Sequence, residues 1–275
     1  MRERYIVVPM DEGAQEALRI AEPTRFESLT PQAAFKEPGS FLLLCTRTPT
    51  DFPPLRDGAE CLFVVTDQAA FLARWAEKTA ACSAGILYAP PDPLPTLGIA
   101  KTLRRLETVL FANDEEKEIF LDKEDFTSVT LQGRQNSMIS LQGTDLEEMV
   151  AKVLRSLATQ NDPAGIHLLF ELPESYPLLE ISRIMERVEA RLPQSDILFQ
   201  TRIVAEDEPL GLTAIFSRYI PINDTLQAQL QNADTYLKKA RLLAQYLRQN
   251  GDPDIARALA LRYKLAWEDV VELAS

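Results

Sequence analysis

Glycine is scarce in this chain of 275 residues: there are 10, and no two stand close enough to form a G-x-G. Histidine is scarcer still, with His167 the single example. Those shortages exclude a Walker A phosphate loop, a dinucleotide-binding glycine fingerprint, the HExxH zinc site and any site built from several histidines. Cysteine is limited to Cys45, Cys61 and Cys82, an odd number with no metal-ligand spacing. Cys45 and Cys61 lie in the apolar runs FLLLC and CLFVV, which marks them as buried free thiols. Cys82 lacks the neighbouring base that would make it a nucleophile. No metal, cofactor or catalytic residue is expected from this inventory. Positive charge is also short, with 29 Lys+Arg against 41 Asp+Glu and a net charge of −12. Without a long basic run, nucleic acid is excluded as a partner class. No apolar run approaches the roughly 20 residues that span a bilayer. The opening MRERYIVVPMDEG has too short an apolar stretch for a secretory leader, so a reduced, cytoplasmic setting is expected.

What is present reads as a globular chain, 46% hydrophobic and 25% charged. Short apolar runs at 4–8 (RYIVV), 41–46 (FLLLCT), 61–66 (CLFVVT), 84–88 (AGILY) and 108–112 (TVLFA) predict buried strands. Segments 12–20, 68–81 and 98–106 carry apolar residues at three- and four-residue spacing and predict helices. That alternation predicts a parallel sheet with helices on both faces, and ligands at the carboxyl ends of its strands.

After residue 125 the rhythm changes. A strand at 137–141 precedes a helix at 145–157, with Leu146, Met149, Val150, Val153 and Leu154 on one face. Strand 166–171, helix 177–191 and strands 196–204 and 210–219 follow. The acidic turn 205–209 (AEDEP) predicts that the last two strands pair as an antiparallel hairpin. The final stretch predicts a helical hairpin: Leu226, Leu230, Leu237, Leu243 and Leu247 mark one helix, ended by Gly251. Asp252 and Pro253 begin the next, which carries Ile255, Leu259, Tyr263, Ala266, Trp267, Val270 and Val271. This tail holds seven acidic and seven basic residues, so residues 1–223 carry the whole −12. The expected organisation is an α/β domain at 1–122, a smaller α+β domain at 123–222 and the tail at 223–275.

Several patches carry a resemblance. Residues 174–188 (ESYPLLEISRIMERV), 196–204 (DILFQTRIV) and 210–219 (LGLTAIFSRY) match, in order, the L-x-E-[IV] helix, the N-I-I-F-G-T-V-I-D strand and the closing R-V-T-V-I-A-T-G strand of the FtsZ C-terminal domain. Residues 98–114 (GIAKTLRRLETVLFAND) are similar to that family's G-I-x-x-L-x-x-x-V-D-T-L-I-V-I-P-N-D, and 29–34 (LTPQAA) to its N-T-D-A-Q-A-L. The chain thus resembles the FtsZ/tubulin family of bacterial cell division. The resemblance implies an N-terminal nucleotide-binding fold, a C-terminal α+β domain and assembly with itself or with an FtsZ-like filament former.

The departures fall where that family does its chemistry. In place of its first glycine-rich phosphate turn stand Asp11, Glu12 and Gly13, after Pro9. A helix N-terminus holds phosphate through free N–H groups and a partial positive charge of about +0.5; carboxylates there take those donors and repel a nucleotide. The second phosphate loop is replaced by a strand running directly into Asp67, a good helix N-cap without glycine. Only residues 115–125 separate Asp114 from Phe126, where the family has a long central helix. Its N-x-D-F-A-D catalytic loop here reads KEDFTS, so Asp125 matches but Ser128 replaces the second carboxylate, and a serine cannot polarise water in the same way.

The remaining candidates read as structural. His167 sits among apolar neighbours in a strand, Trp75 and Trp267 are core anchors, and the acidic clusters at 114–118 and 206–208 are solvated loops. Lys238, Lys239 and Arg241 are the candidate partner-binding residues. The leading expectation is an interaction or scaffold protein that has lost GTP and is not an enzyme. The alternative is an enzyme or small-ligand protein on the same scaffold, whose pocket would show converging polar groups. The apolar stripe 259–270 suggests that the tail packs either into a vacated nucleotide cleft or on a sheet face.

Overall fold

The computed structural model describes residues 4–37, 40–48, 50–55, 59–80, 82–112, 123–131, 133–157, 163–220, 223–250 and 253–275. The first strands follow the apolar runs: β1 (Tyr5–Pro9), the short β2 (Glu27–Ser28), β3 (Phe41–Thr46), β4 (Glu60–Val65) and β5 (Ala84–Tyr88). Helices α1 (Glu12–Ala21), α2 (Pro31–Ala34) and α3 (Gln68–Ala80) lie between them, and α4 (Pro95–Phe111) follows β5. The strands β1 to β5 are mutually parallel, in spatial order β2-β1-β3-β4-β5. Side chains alternate across this sheet, and both faces are buried. Val7, Leu43 and Cys45 join the core under α1 and α4, whereas Ile6, Val8, Leu42 and Leu44 join Phe71 and Trp75 of α3. Trp75 is fully enclosed, as expected, and its Nε1 donates to the Thr50 carbonyl at 2.6 Å.

The expected strand at 108–112 is instead the last turn of α4. Leu103, Leu106 and Val109 continue one buried face, so the helical period runs through the β-branched and aromatic residues of TVLFA. Beyond α5 (Lys123–Thr130) come β6 (Arg134–Gly143), α6 (Leu146–Leu157), β7 (Gly165–Pro173), α7 (Leu178–Arg191), β8 (Asp196–Val204) and β9 (Leu210–Tyr219). Here β9 inserts between β6 and β7, antiparallel to both, while β8 pairs in parallel with β7 at the sheet edge. The expected β8–β9 hairpin therefore does not form: the acidic turn joins strands that are not neighbours. Because β5 pairs with β6, one nine-stranded sheet runs through the described residues. Helices α6 and α7 cover one face of its second half with Val150, Ile184 and Val188. On the other face α4 reaches Leu169 and Ile215.

The tail is helical, as expected, but two breaks make it four helices among the described residues: α8 (Asp224–Asn232), α9 (Tyr236–Asn250), α10 (Pro253–Arg262) and α11 (Trp267–Ala274). Ala233 is extended (φ −79°, ψ 125°), and Lys264 is left-handed at φ 54°. Gly251 and Asp252, the expected stop and start, lie outside the described residues, as does the cluster at 114–118. The stripe Leu259, Leu265 and Val270 is buried with Leu226, Leu230 and Leu243 in the tail's own core, so it fills neither a nucleotide cleft nor a sheet face. Trp267 is only partly buried, with the Arg257 guanidinium 5.1 Å above its ring.

Candidate functional site

Strand β1 ends at Pro9, and two residues later the chain turns into α1. Asp11 is the N-cap, with extended backbone (φ −145°), and its carboxylate accepts the Ala14 amide at 2.7 Å. The second carboxylate oxygen reaches the end of β3, the strand beside β1 in the sheet. It accepts the Arg47 amide at 2.7 Å, the Thr46 hydroxyl at 3.0 Å and the Thr48 amide at 3.3 Å. Burial alone would raise the Asp11 pKa, but the donated hydrogen bonds from Arg47, Ala14, Thr46 and Thr48 outweigh it and hold the carboxyl below its ordinary value. Asp11 thus accepts one amide from the first turn of α1 and two from the residues that follow β3.

Gly13 faces the same junction. A Cβ built there would lie 2.1 Å from Cδ of Arg47, so the arginine side chain lies across the first turn of α1, close against the glycine. Nε of Arg47 is buried with no hydrogen-bond partner among the described residues. Glu12 points to solvent. The chemistry this arrangement supports is a latch between two loops. The sequence pointed to Asp11 but gave no sign of Arg47, Thr46 or Thr48, because its capping signals are local and these partners lie 35 to 37 residues away.

The other sequence candidates are dispersed. Asp67 caps α3, accepting the Ala70 amide at 3.1 Å; its neighbour Thr66 touches the latch by donating to the Arg47 carbonyl at 3.5 Å. Asp125 lies in the first turn of α5, and Ser128 donates to its carbonyl at 2.7 Å. His167 is enclosed in β7, edge-on to Phe126, with Nδ1 unpartnered among the described residues. Burial pushes its pKa down to about 4. Cys45 and Cys61 are buried, and their thiol pKa values are raised by desolvation. Lys238 pairs with Asp234 at 2.6 Å, Lys239 lies 5.1 Å over the Tyr263 ring, and Arg241 is exposed. No group of three or more His, Cys, Asp or Glu among the described residues is arranged to hold a metal ion, and no described helix is long and apolar enough to cross a membrane.

No family profile and no curated protein sequence matches the chain. Solved structures do. An FtsZ of M. jannaschii (a W319Y mutant) superposes with a TM-score of 0.57 at 13% identity, over 82% of this chain and 92% of that one. CetZ from Methanosaeta thermophila superposes with a TM-score of 0.56 at 12% identity, over 99% of each chain. TubZ from Bacillus thuringiensis serovar israelensis, in a GTPγS-form protofilament, gives 0.56 at 11% identity over 94% of each. At such low identity the likeness speaks for architecture and leaves chemistry to the residues. On these superpositions and the sheet order above, the chain has the FtsZ/tubulin-like fold.

Proposed function

We propose that this protein is a tubulin-like scaffold that neither binds nor hydrolyses GTP and acts by associating with protein, either further copies of itself or an FtsZ-like filament former. One observation carries the first half: the carboxylate of Asp11 takes the amides of Ala14, Arg47 and Thr48, while Arg47 lies over Gly13. A triphosphate brought to this helix N-terminus would meet a negative charge and a side chain where it needs free N–H groups. Asp67 closes α3 in the same manner. In this reading Asp125, with Ser128 in place of a second acid, has no water to activate, and the chain is not an enzyme.

Two observations favour association. The related TubZ structure is a protofilament by its own description. In this chain Leu178 and Leu179, at the start of α7, are 52% and 62% exposed beside the edge strand β8, an apolar surface of the kind that marks contact sites. The three-part division at 122/123 and 222/223 would then separate a closed nucleotide-like part, an assembling part and a tail that presents Lys238, Lys239 and Arg241 to an acidic partner. A bacterial, cytoplasmic role in division or cytoskeletal assembly is the process this reading favours. The test is co-sedimentation of the full chain, alone and with an FtsZ polymer, with and without GTP and Mg²⁺. Pelleting that ignores nucleotide, or that follows the FtsZ polymer, supports the proposal; pelleting of this chain alone that requires GTP overturns it.

A further inference from the structure

A cleft of about 750 Å³ lies away from Asp11, between α4, the carboxyl ends of β6, β7 and β8, and the loop that leads from β5 into α4. Sites for small molecules occupy about 300–1,000 Å³ and favour the carboxyl ends of strands in open α/β sheets. Lys101, Arg104 and Arg105 enter it from one face of α4, and Arg202 enters from β8. The carboxylates on its walls are Asp92, Glu171 and Glu208, so a protein of net charge −12 turns four cations against three anions here.

The cations are organised by a carboxylate that is itself buried, Glu171, which is 6% exposed. One of its oxygens accepts from Arg105 Nη1 at 2.5 Å and the other from Arg202 Nη1 at 3.0 Å. Gly211 on β9 makes room for it, since a Cβ there would lie 2.6 Å from Glu171 Oε2. Arg104 is fixed by donating from Nε to the Ala21 carbonyl at 3.0 Å and from Nη2 to that of Ile20. Lys101 pairs with Asp92, but both are more than half exposed, and such a surface pair is weak because water screens it. Its ammonium is therefore easily turned to a ligand. Arg105 engages one guanidinium nitrogen with Glu171 and keeps Nε and Nη2 without an acceptor among the described residues. Guanidinium groups held in place in this way lose little freedom when they meet an anion.

We propose that the cleft binds a small polyanion, a di- or tricarboxylate or a phosphorylated metabolite, on Lys101, Arg104 and Arg105, with Glu171 as the positioning residue. A bound anion would bridge α4 and β8 and so tie the covering helix to the edge of the sheet. The site stands independently of whether GTP is bound elsewhere.

Calorimetric titration of the full chain with citrate and with pyrophosphate, at ionic strength held constant with NaCl, tests this. Saturable one-site binding of at least one anion is expected, and the tighter of the two distinguishes carboxylate from phosphate. Lys101→Glu should weaken it at least about tenfold, the worth of one charge-assisted hydrogen bond. Thr108→Trp, which narrows the cleft beside Arg104 and Arg105 without changing charge, should also weaken it at least about tenfold, with circular dichroism unchanged in both variants. Lys152→Glu, on α6 and outside the cleft, should leave it intact. Absence of saturation with both anions, or binding that persists in both Lys101→Glu and Thr108→Trp, overturns the proposal.

Discussion

The carboxylate of Asp11 accepts the backbone amide of Arg47 at 2.7 Å, and through this bond the N-terminus of α1 and the end of β3 share one half-buried anion. Two consequences can be measured. Asp11→Ala removes the cap of α1 and the acceptor of the half-buried Arg47 amide, and should cost about 1–2 kcal/mol in urea unfolding. Asp11→Asn keeps an acceptor and should cost less than half of that.

The same bond fixes a pH dependence. The folded Asp11 pKa lies below its unfolded value of 3.8, so in the interval between them the unfolded chain binds more protons and stability rises with pH. The contribution is complete above 3.8 and is lost as pH falls through the folded value. Unfolding curves of Asp11→Asn should lack this acid loss relative to the unaltered chain; an identical acid profile would contradict the latch.

His167 supplies a second pH dependence at a different place. Its pKa falls from 6.5 to about 4 on folding, so the unfolded chain is the better base between those values. Stability should therefore be full above pH 6.5 and decline toward pH 4, by on the order of 3 kcal/mol. In His167→Leu that slope should vanish while stability at pH 7 is kept or raised, because Nδ1 has no partner to lose. A large loss at pH 7 would instead point to a hydrogen bond made by His167.

Glu171 is held between Arg105 and Arg202, whose side chains are 20% and 33% exposed. Removing one partner of a fully buried pair costs about 3–5 kcal/mol, and partial solvent access should bring Glu171→Ala to about 2–3 kcal/mol. Gly211→Ala should destabilise through the same carboxylate, which it would displace. Double-mutant analysis should find the two changes strongly non-additive; additive losses would mean that they act separately.

The tail has a core of its own, built on Leu226, Leu230, Leu243 and Leu259. Its tie to the sheet includes Arg262, which donates to the Ile220 carbonyl at 2.8 Å and lies 4.5 Å over the Tyr219 ring. Deletion of residues 224–275 should leave a protein that still unfolds cooperatively, with a lower Tm. Loss of the cooperative transition would show that the tail is part of the sheet's folding unit.

Strands β1, β3, β4 and β5 were legible because parallel strands buried on both faces leave uninterrupted apolar runs. The end of α4 was not, since a short run such as TVLFA satisfies a strand and a buried helix face equally, and only the continuation from Leu103 through Val109 decides. Proximity in sequence predicts a β8–β9 hairpin, whereas the sheet places β9 between β6 and β7. The tail's breaks at Ala233 and Lys264 carry no glycine or proline to announce them. At the site, capping by Asp11 and Asp67 was visible because a cap is a local pattern. The contacts of Asp11 to Thr46 and Arg47, and of Glu171 to Arg105 and Arg202, were hidden because each joins residues from different strands and helices.

The most direct test of the central claim is calorimetric titration of the unaltered full-length chain with GTP in the presence of Mg²⁺. Occupation of the α1 terminus by Asp11 and Arg47 predicts no saturable heat from that terminus, so that any GTP heat is lost in Thr108→Trp, whose change lies in the α4 cleft. Stoichiometric, saturable GTP binding that is lost on altering the β1–α1 turn would contradict it.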